Sequence, residues 1–274
     1  ISIKNVRVNT YRTIQNNQWN YSFIEDALTS NTTNKKNRNG FELSIQKIQL
    51  ERINYSEEDA WVGSNMYVSI GKGAIDIDTF NETKRKITIK DINFSEPSIE
   101  LKDYPASPFR PKNNISKQID TSCFNKGNWQ VAIKQIKVAN GILKLNYNNK
   151  QPIINEFDAE HMDITHINLL IKNTTILKDT IKGSISYLNA KERCGLQLKQ
   201  FKCNVIVSPN KTICNQLYIA TNNSEIGDYY AMYYKRFPDF LDYMQAVIMT
   251  ANFKNAKIDL KDQYEYKFKK AEER

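Results

Sequence analysis

Ile87-Thr88-Ile89-Lys90-Asp91-Ile92-Asn93-Phe94 is the stretch that decides the fold. Apolar and polar residues alternate on either side of Lys90-Asp91, as in a strand with one buried face. The alternation slips by one residue at that polar pair. Such a slip turns Ile92 and Phe94 away from the face of Ile87 and Ile89 unless a β-bulge absorbs it. The stretch therefore predicts a strand bulged and bent near Lys90.

The pattern recurs along the chain. Upstream it reads Ile1-Ser2-Ile3-Lys4-Asn5-Val6-Arg7-Val8 and Leu43-Ser44-Ile45-Gln46-Lys47-Ile48-Gln49-Leu50, and downstream Val131-Ala132-Ile133-Lys134-Gln135-Ile136-Lys137-Val138. The copies start at residues 1, 43, 87 and 131, so the last three are spaced by 44. A period of this length marks an array of supersecondary units stacked on one another. Bulges are expected near Lys47, Lys90 and Lys134.

After the fourth copy, Asn140-Gly141 leads into Ile142-Leu143-Lys144-Leu145. Asn-Gly suits a type I′ turn because both residues accept positive φ. The reading is a tight hairpin with Val138 opposite Leu143 and Ile136 opposite Leu145. Glu96-Pro97-Ser98, before Ile99-Glu100-Leu101, is read as the equivalent turn of the third copy. Each repeat is then a bulged strand, a turn and a return strand. Strands of about seven to nine residues rise roughly 25–30 Å.

Further strands are expected over 155–172, 180–188, 196–207, 212–221 and 247–261. Two segments carry helical spacing instead. One is 19–29, with Trp19, Phe23, Ala27, Ile24 and Leu28; the other is 238–248, with Phe240, Leu241, Met244, Val247 and Ile248 behind Pro238. Residues 30–40 and 103–127 read as polar loops. The expected fold is mainly β: an elongated repetitive antiparallel sheet curled into a U-shaped trough, with two short helices. It forms a single unit over 1–262, followed by a frayed tail over 263–274.

The composition is that of a folded protein, with 40% hydrophobic and 25% charged residues. The net charge of +9 would suit an anionic partner, nucleic acid or phospholipid headgroups, although the signs alternate along most strands. For nucleic acid, the one basic-aromatic cluster is Tyr229, Tyr230, Tyr233 and Tyr234 beside Lys235-Arg236; aromatics are equally ordinary in strands and at membrane interfaces, and no nucleic-acid partner is expected. No apolar run reaches the roughly 18 residues of a membrane-spanning helix. The first residue, Ile1, reads as the start of a fragment or processed chain.

Cys123, Cys194, Cys203 and Cys214 contain no CxxC pair, and the two histidines, His161 and His166, stand an odd number of residues apart on a strand, facing opposite sides. No metal site is expected. Cys203 and Cys214 flank a turn at Ser208-Pro209-Asn210-Lys211, which puts Val207 opposite Thr212, Cys214 opposite Val205 and Cys203 opposite Gln216. The sulfurs then lie on a diagonal unsuited to a disulfide, so free thiols are expected. Asp76 and Asp78 share a strand face at a spacing that paired catalytic carboxylates use, but they alternate with Ile75 and Ile77 as a solvated face does. No GxSxG, HExxH, P-loop or GxGxxG motif is present, and the chain reads as neither an enzyme nor a cofactor protein.

The repeat is the functional clue, because an elongated apolar face must be covered by something. A trough would offer that face to acyl chains. The expected lining is Ile45, Ile48 and Leu50 from the second copy, Ile87, Ile89, Ile92 and Phe94 from the third, and Val131, Ile133, Ile136 and Val138 from the fourth. Leu143 and Leu145 follow in the return strand. The alternative is a structural or adhesive β-solenoid or sandwich whose closed, dry core holds the same residues and whose outer face binds protein or glycan.

The opening repeat with Trp19-Asn20-Tyr21-Ser22-Phe23-Ile24, the segment Val131 to Gly141, and Phe253-Lys254-Asn255-Ala256-Lys257-Ile258-Asp259-Leu260-Lys261-Asp262 together resemble the AsmA/TamB family of outer-membrane-bearing bacteria. The resemblance implies a periplasmic trough with a greasy interior, held to the inner membrane by a segment not in this sequence. It also implies phospholipid transport toward the outer membrane, or support of outer-membrane protein assembly with an Omp85-type barrel met by parts beyond this chain.

Overall fold

The computed structural model describes residues 1–29, 45–110, 124–147, 150–153, 157–237, 239, 243–254, 256–260 and 262. Among the described residues twelve strands form one open sheet. In chain order they are β1 (Ser2–Lys4), β2 (Arg7–Arg12), β3 (Lys47–Asp59), β4 (Ser64–Asn81), β5 (Lys86–Asp103) and β6 (Gln130–Asn146). There follow β7 (His161–Leu177), β8 (Thr180–Glu192), β9 (Gln197–Ser208), β10 (Lys211–Ala220), β11 (Glu225–Tyr233) and β12 (Ile248–Phe253). From β3 to β12 neighbours in sequence are neighbours in space, and β1 and β2 lie in succession along the outer edge of β3. The chain is mainly β, as the alternation predicts.

The sheet is mixed where an antiparallel one was expected. β1 and β2 run parallel to β3, and β5 runs parallel to β6. The β5–β6 pair explains the repeat. Ile87 lies opposite Val131, Ile89 opposite Ile133, Ile92 opposite Ile136 and Phe94 opposite Val138. Copies three and four are therefore side by side, like residue against like. The first two copies pair five residues out of that phase, with Ile3 opposite Leu50 rather than Ile45.

The expected hairpins are corrected. β5 passes through Glu96-Pro97-Ser98 and β6 through Asn140-Gly141 without turning back. Val138 pairs with Phe94 and Leu169, and Leu143 with Ile99 and Ile164. Asn140 does adopt positive φ (55°), as do Glu96 (55°), Arg52 (52°), Asn5 (56°) and His166 (54°). These residues stand at one level on neighbouring strands, where the register is interrupted on each. They crease the sheet rather than end its strands, since a single left-handed residue makes a bulge while a type I′ turn needs two. The strands are consequently long. At about 3.3 Å per residue, the 18 residues of β4 or β5 span roughly 60 Å, twice the expected rise.

The bulge expected at Lys90 is present. On β4, Ile75 and Ile77 stand two residues apart and face one side; Ile75 is opposite Ile92 and Ile77 opposite Ile89. Ile89 and Ile92 therefore share a face, with Lys90 as the residue left over. Lys134 is bypassed in the same way, between Ile133 opposite Ile89 and Ile136 opposite Ile92. The bulge expected near Lys47 is absent: β3 begins at Lys47, opposite Asp76, and its irregularity comes at Arg52. Leu43 and Ser44 lie outside the described residues.

The helices are smaller than expected. α1 spans Ser22–Thr29 and leaves Phe23 and Ile24 exposed, and α2 is only Tyr243–Ala246. Ile248 leaves the helical pattern because it pairs with Tyr233 as the start of β12. Pro238, Phe240 and Leu241 lie outside the described residues, as do 30–40, 111–123 and the tail beyond Asp262. The strand β11 was not anticipated, although Ile226, Tyr230 and Met232 carry its alternation.

Candidate functional site: the apolar face of the sheet

Cross-strand partners present their side chains on the same side of a sheet. Near one end of the strands, Ile87 lies between Phe80 and Val131, and the row continues through Ile176, Ile181 and Val207. Further along, Ile92 lies between Ile75 and Ile136, and that row runs from Ile48 to Ile171, Ile185 and Cys203. A third row joins Leu50 through Gly73 to Phe94, Val138, Leu169 and Leu188. Gly73 leaves room for the Phe94 ring, which lies 3.0 Å from where a Cβ would sit.

Beyond the crease the same face resumes. A Cβ on Gly141 would meet Val138, Ile167 and Pro97 side chains at 3.1–3.5 Å, so these four positions look the same way. Leu143 and Leu145 follow from Gly141 at two-residue steps and face with them. The expected lining residues from Ile48 to Leu145 thus share one face. Ile45 precedes β3 and is half-buried outside the ladder.

The other face is polar. The partners of Asp91 are Asp76 and Gln135, and the row extends from Lys47 to Lys172, Ser184 and Asn204. Two shallow grooves lie on this side. One, of about 630 Å³, includes Ser184, Lys202, Asn204, Gln216 and Tyr218, with the Lys202 ammonium 5.0 Å over the Tyr218 ring. The other, of about 480 Å³, includes Asn54, Ser56, Tyr67 and Ser98, and Lys102 lies 5.1 Å over Tyr67.

A single-layer sheet this large has no dry centre. Among the described residues no large side chain is fully buried; Ile89 comes nearest among the repeat residues, 9% exposed. Side chains on the apolar face cover one another only in part. The closed core of a sandwich would need a second layer over these rows, and among the described residues no second sheet exists.

The two ends of the strands are finished differently. At the end of Asp59, the Arg12 guanidinium makes paired 2.6 Å bonds to both Asp59 carboxylate oxygens. Burial opposes ionisation of Asp59, but Arg12 and the Val62 N–H more than offset it and hold the carboxyl below the usual range. At the same end buried His161 holds its Nδ1 2.8 Å from Asp158, whose carboxyl is lowered by the Ile153 N–H and, against burial, by His161 and the Glu160 N–H. At the opposite end aromatic rings collect. Trp129 stacks on Phe80 at 5.7 Å, and Phe237 joins Phe124 at 5.9 Å and buried Tyr234 at 6.0 Å.

The remaining sequence candidates disperse. Asp76 pairs with Lys47 at 3.7 Å on the polar face, and Asp78 sits at a register shift, accepting from Thr79. His166 is exposed at the crease, away from His161. Tyr229 and Tyr230 face opposite sides of β11, so the tyrosine cluster is divided between the faces. The turn before Lys211 forms as expected, with Val207 opposite Thr212 and Cys214 opposite Val205; a register shift displaces Cys203 from Gln216. Both thiols are free, and their mutual interaction draws Cys214 down to about 7 and pushes Cys203 up. Cys123 lies outside the described residues.

No family model, curated protein or solved structure matches this chain.

Proposed function

We propose that the chain is a lipid-carrying β-sheet segment, with acyl chains lying along the apolar face and headgroups left in water. The observation that supports this is the set of apolar rows that crosses β3 to β9 on one face of a sheet with no second layer among its described residues. Rows of isoleucine, leucine, valine and phenylalanine offer each methylene of an acyl chain about 0.8 kcal/mol on burial. Because the rows repeat from strand to strand, a lipid moving across them exchanges one such contact for its equivalent. No deep local trap arises, and no catalytic group or cofactor is required.

The placement follows the resemblance to AsmA/TamB proteins. The segment works in the periplasm, tied to the inner membrane by a part beyond this sequence. It passes phospholipid toward the outer membrane or supports assembly there with an Omp85-type barrel.

Mass spectrometry of lipids extracted from the purified chain tests the reading. Phospholipid should be retained in stoichiometric amount. The double variant Ile92→Glu, Ile136→Glu should lose it while keeping its β circular dichroism. A folded, lipid-free wild-type chain, or equal retention by the folded variant, overturns the proposal.

A further inference from the structure

The turns at the aromatic end of the strands carry an excess of unpaired positive charge. The β4–β5 turn supplies Lys84 and Arg85, and Lys86 opens β5. Lys126 comes from the segment that packs beneath them, where Arg85 donates to the Gly127 carbonyl at 2.9 Å. Lys178 stands in the β7–β8 turn, Lys211 after the β9–β10 turn, and Lys235 and Arg236 follow β11. The described acids at this end are Asp78, Glu82, Asp179 and Asp239. Asp239 is paired with Arg236 at 3.1 Å, and Asp179 accepts from the Asn125 N–H. Among the described residues, none of Lys84, Lys86, Lys126, Lys178 or Lys211 is in an ion pair.

Apolar side chains stand among these cations. Leu177 is 56% exposed and Ile248 69%, and Phe80 and Phe124 are each nearly half exposed at the outer edges of their ring pairs. Trp129 sits between them, its segment pinned by Asn125, whose side chain bonds the Trp129 backbone and the Lys178 carbonyl. The strands end here at one level, because Phe80, Ile87, Val131, Ile176, Ile181 and Val207 form a single cross-strand row.

We infer that this end of the strands docks on an anionic lipid bilayer. Lysines at such a surface are attracted by acidic headgroups, and Trp, Phe and aliphatic residues between them enter the interface. Single-stranded nucleic acid also favours cations with aromatics, but it stacks bases on open ring faces. Here the rings pack on one another, and the exposed aliphatic residues have no role in stacking. The inference rests on the turns and holds whether or not the apolar face carries lipid.

Co-sedimentation with vesicles tests it, comparing phosphatidylcholine alone with phosphatidylcholine containing phosphatidylglycerol. The chain should bind the mixed vesicles, bind plain phosphatidylcholine weakly, and be released by high salt. Each neutralised lysine removes about 1 kcal/mol of attraction, so Lys84→Gln, Lys178→Gln, Lys211→Gln together should weaken binding roughly 100-fold. Lys150→Gln, Arg193→Gln at the other end should leave it unchanged. With Trp19 and Trp61 replaced by Phe, the emission of Trp129 should shift to the blue on binding. Equal binding to both vesicle types, equal loss from the two sets of variants, or tighter binding to single-stranded DNA than to the mixed vesicles overturns the inference. The triple variant's retained lipid reports separately on the apolar face.

Discussion

At one end of the strands part-buried carboxylates hold the connections, and at the other a group of cations is left facing outward. Arg12 meets Asp59 and His161 meets Asp158 at the first end. These pairs do structural work: Asp59 also binds the Val62 N–H of the β3–β4 turn, and Asp158 binds the N–H groups of Ile153 and Glu160 before β7. At the second end hydrophobic stacking holds the turns, and Lys84, Lys86, Lys126, Lys178 and Lys211 are spared from pairing. The contrast separates a rim built to hold connections from a rim available to a partner.

The largest effect that sharpens this contrast should come from Asp59→Ala. Removing a carboxylate from a largely buried pair strands the guanidinium and should cost about 3 kcal/mol in urea unfolding. Lys178→Gln at the opposite end should move the same midpoint by less than about 0.5 kcal/mol. Equal effects from the two would erase the distinction. Next in size is acid sensitivity. The Asp59 and Asp158 carboxyls are lowered in the fold, so their stabilisation is complete above the unfolded carboxylate range and is lost as pH falls below about 4. Thermal melts should show a drop there that Asp59→Asn reduces, and an unchanged drop would assign it elsewhere.

At the aromatic end, Trp129→Leu should cost about 1 kcal/mol, the worth of one stacked pair beyond its area, with no added acid dependence. The smallest effect belongs to neither rim. Cys214, midway along β10, should react with a small alkylating reagent with a pH profile centred at about 7. A profile centred in the ordinary thiol range, or one unaltered by Cys203→Ala, would contradict the thiol pair.

How much was legible in the sequence depends on the range of the interaction. The slip at Lys90 fixed a bulge because the apolar demand on both sides of it is local, and Ile89 and Ile92 share a face as that demand requires. Asn140 was recognisable as a residue that accepts positive φ, but whether one residue or two adopt it is decided by the neighbouring strand. Phe94 and Ile99 hold β6 extended by pairing with it on either side of Asn140, and that pairing lies 44 residues away in sequence. Long strands read as hairpins for this reason. The rims were least legible. Arg12 and Asp59 are brought together by the parallel pairing of β2 with β3, and the rings of Phe124 and Phe237 by two separate connections. Tyr229 and Tyr230 point to opposite faces by ordinary strand periodicity, the local signal of β11.

The central claim is that one face of the sheet carries lipid and the other does not. Gln135 and Ile136 are adjacent in β6 and point to opposite faces. A photo-crosslinking phenylalanine analogue placed at each position in turn, with the protein kept among native phospholipids, reads the claim directly. Lipid adducts should form from position 136 and be absent from position 135. Adducts from both positions, from 135 alone, or from neither would contradict it.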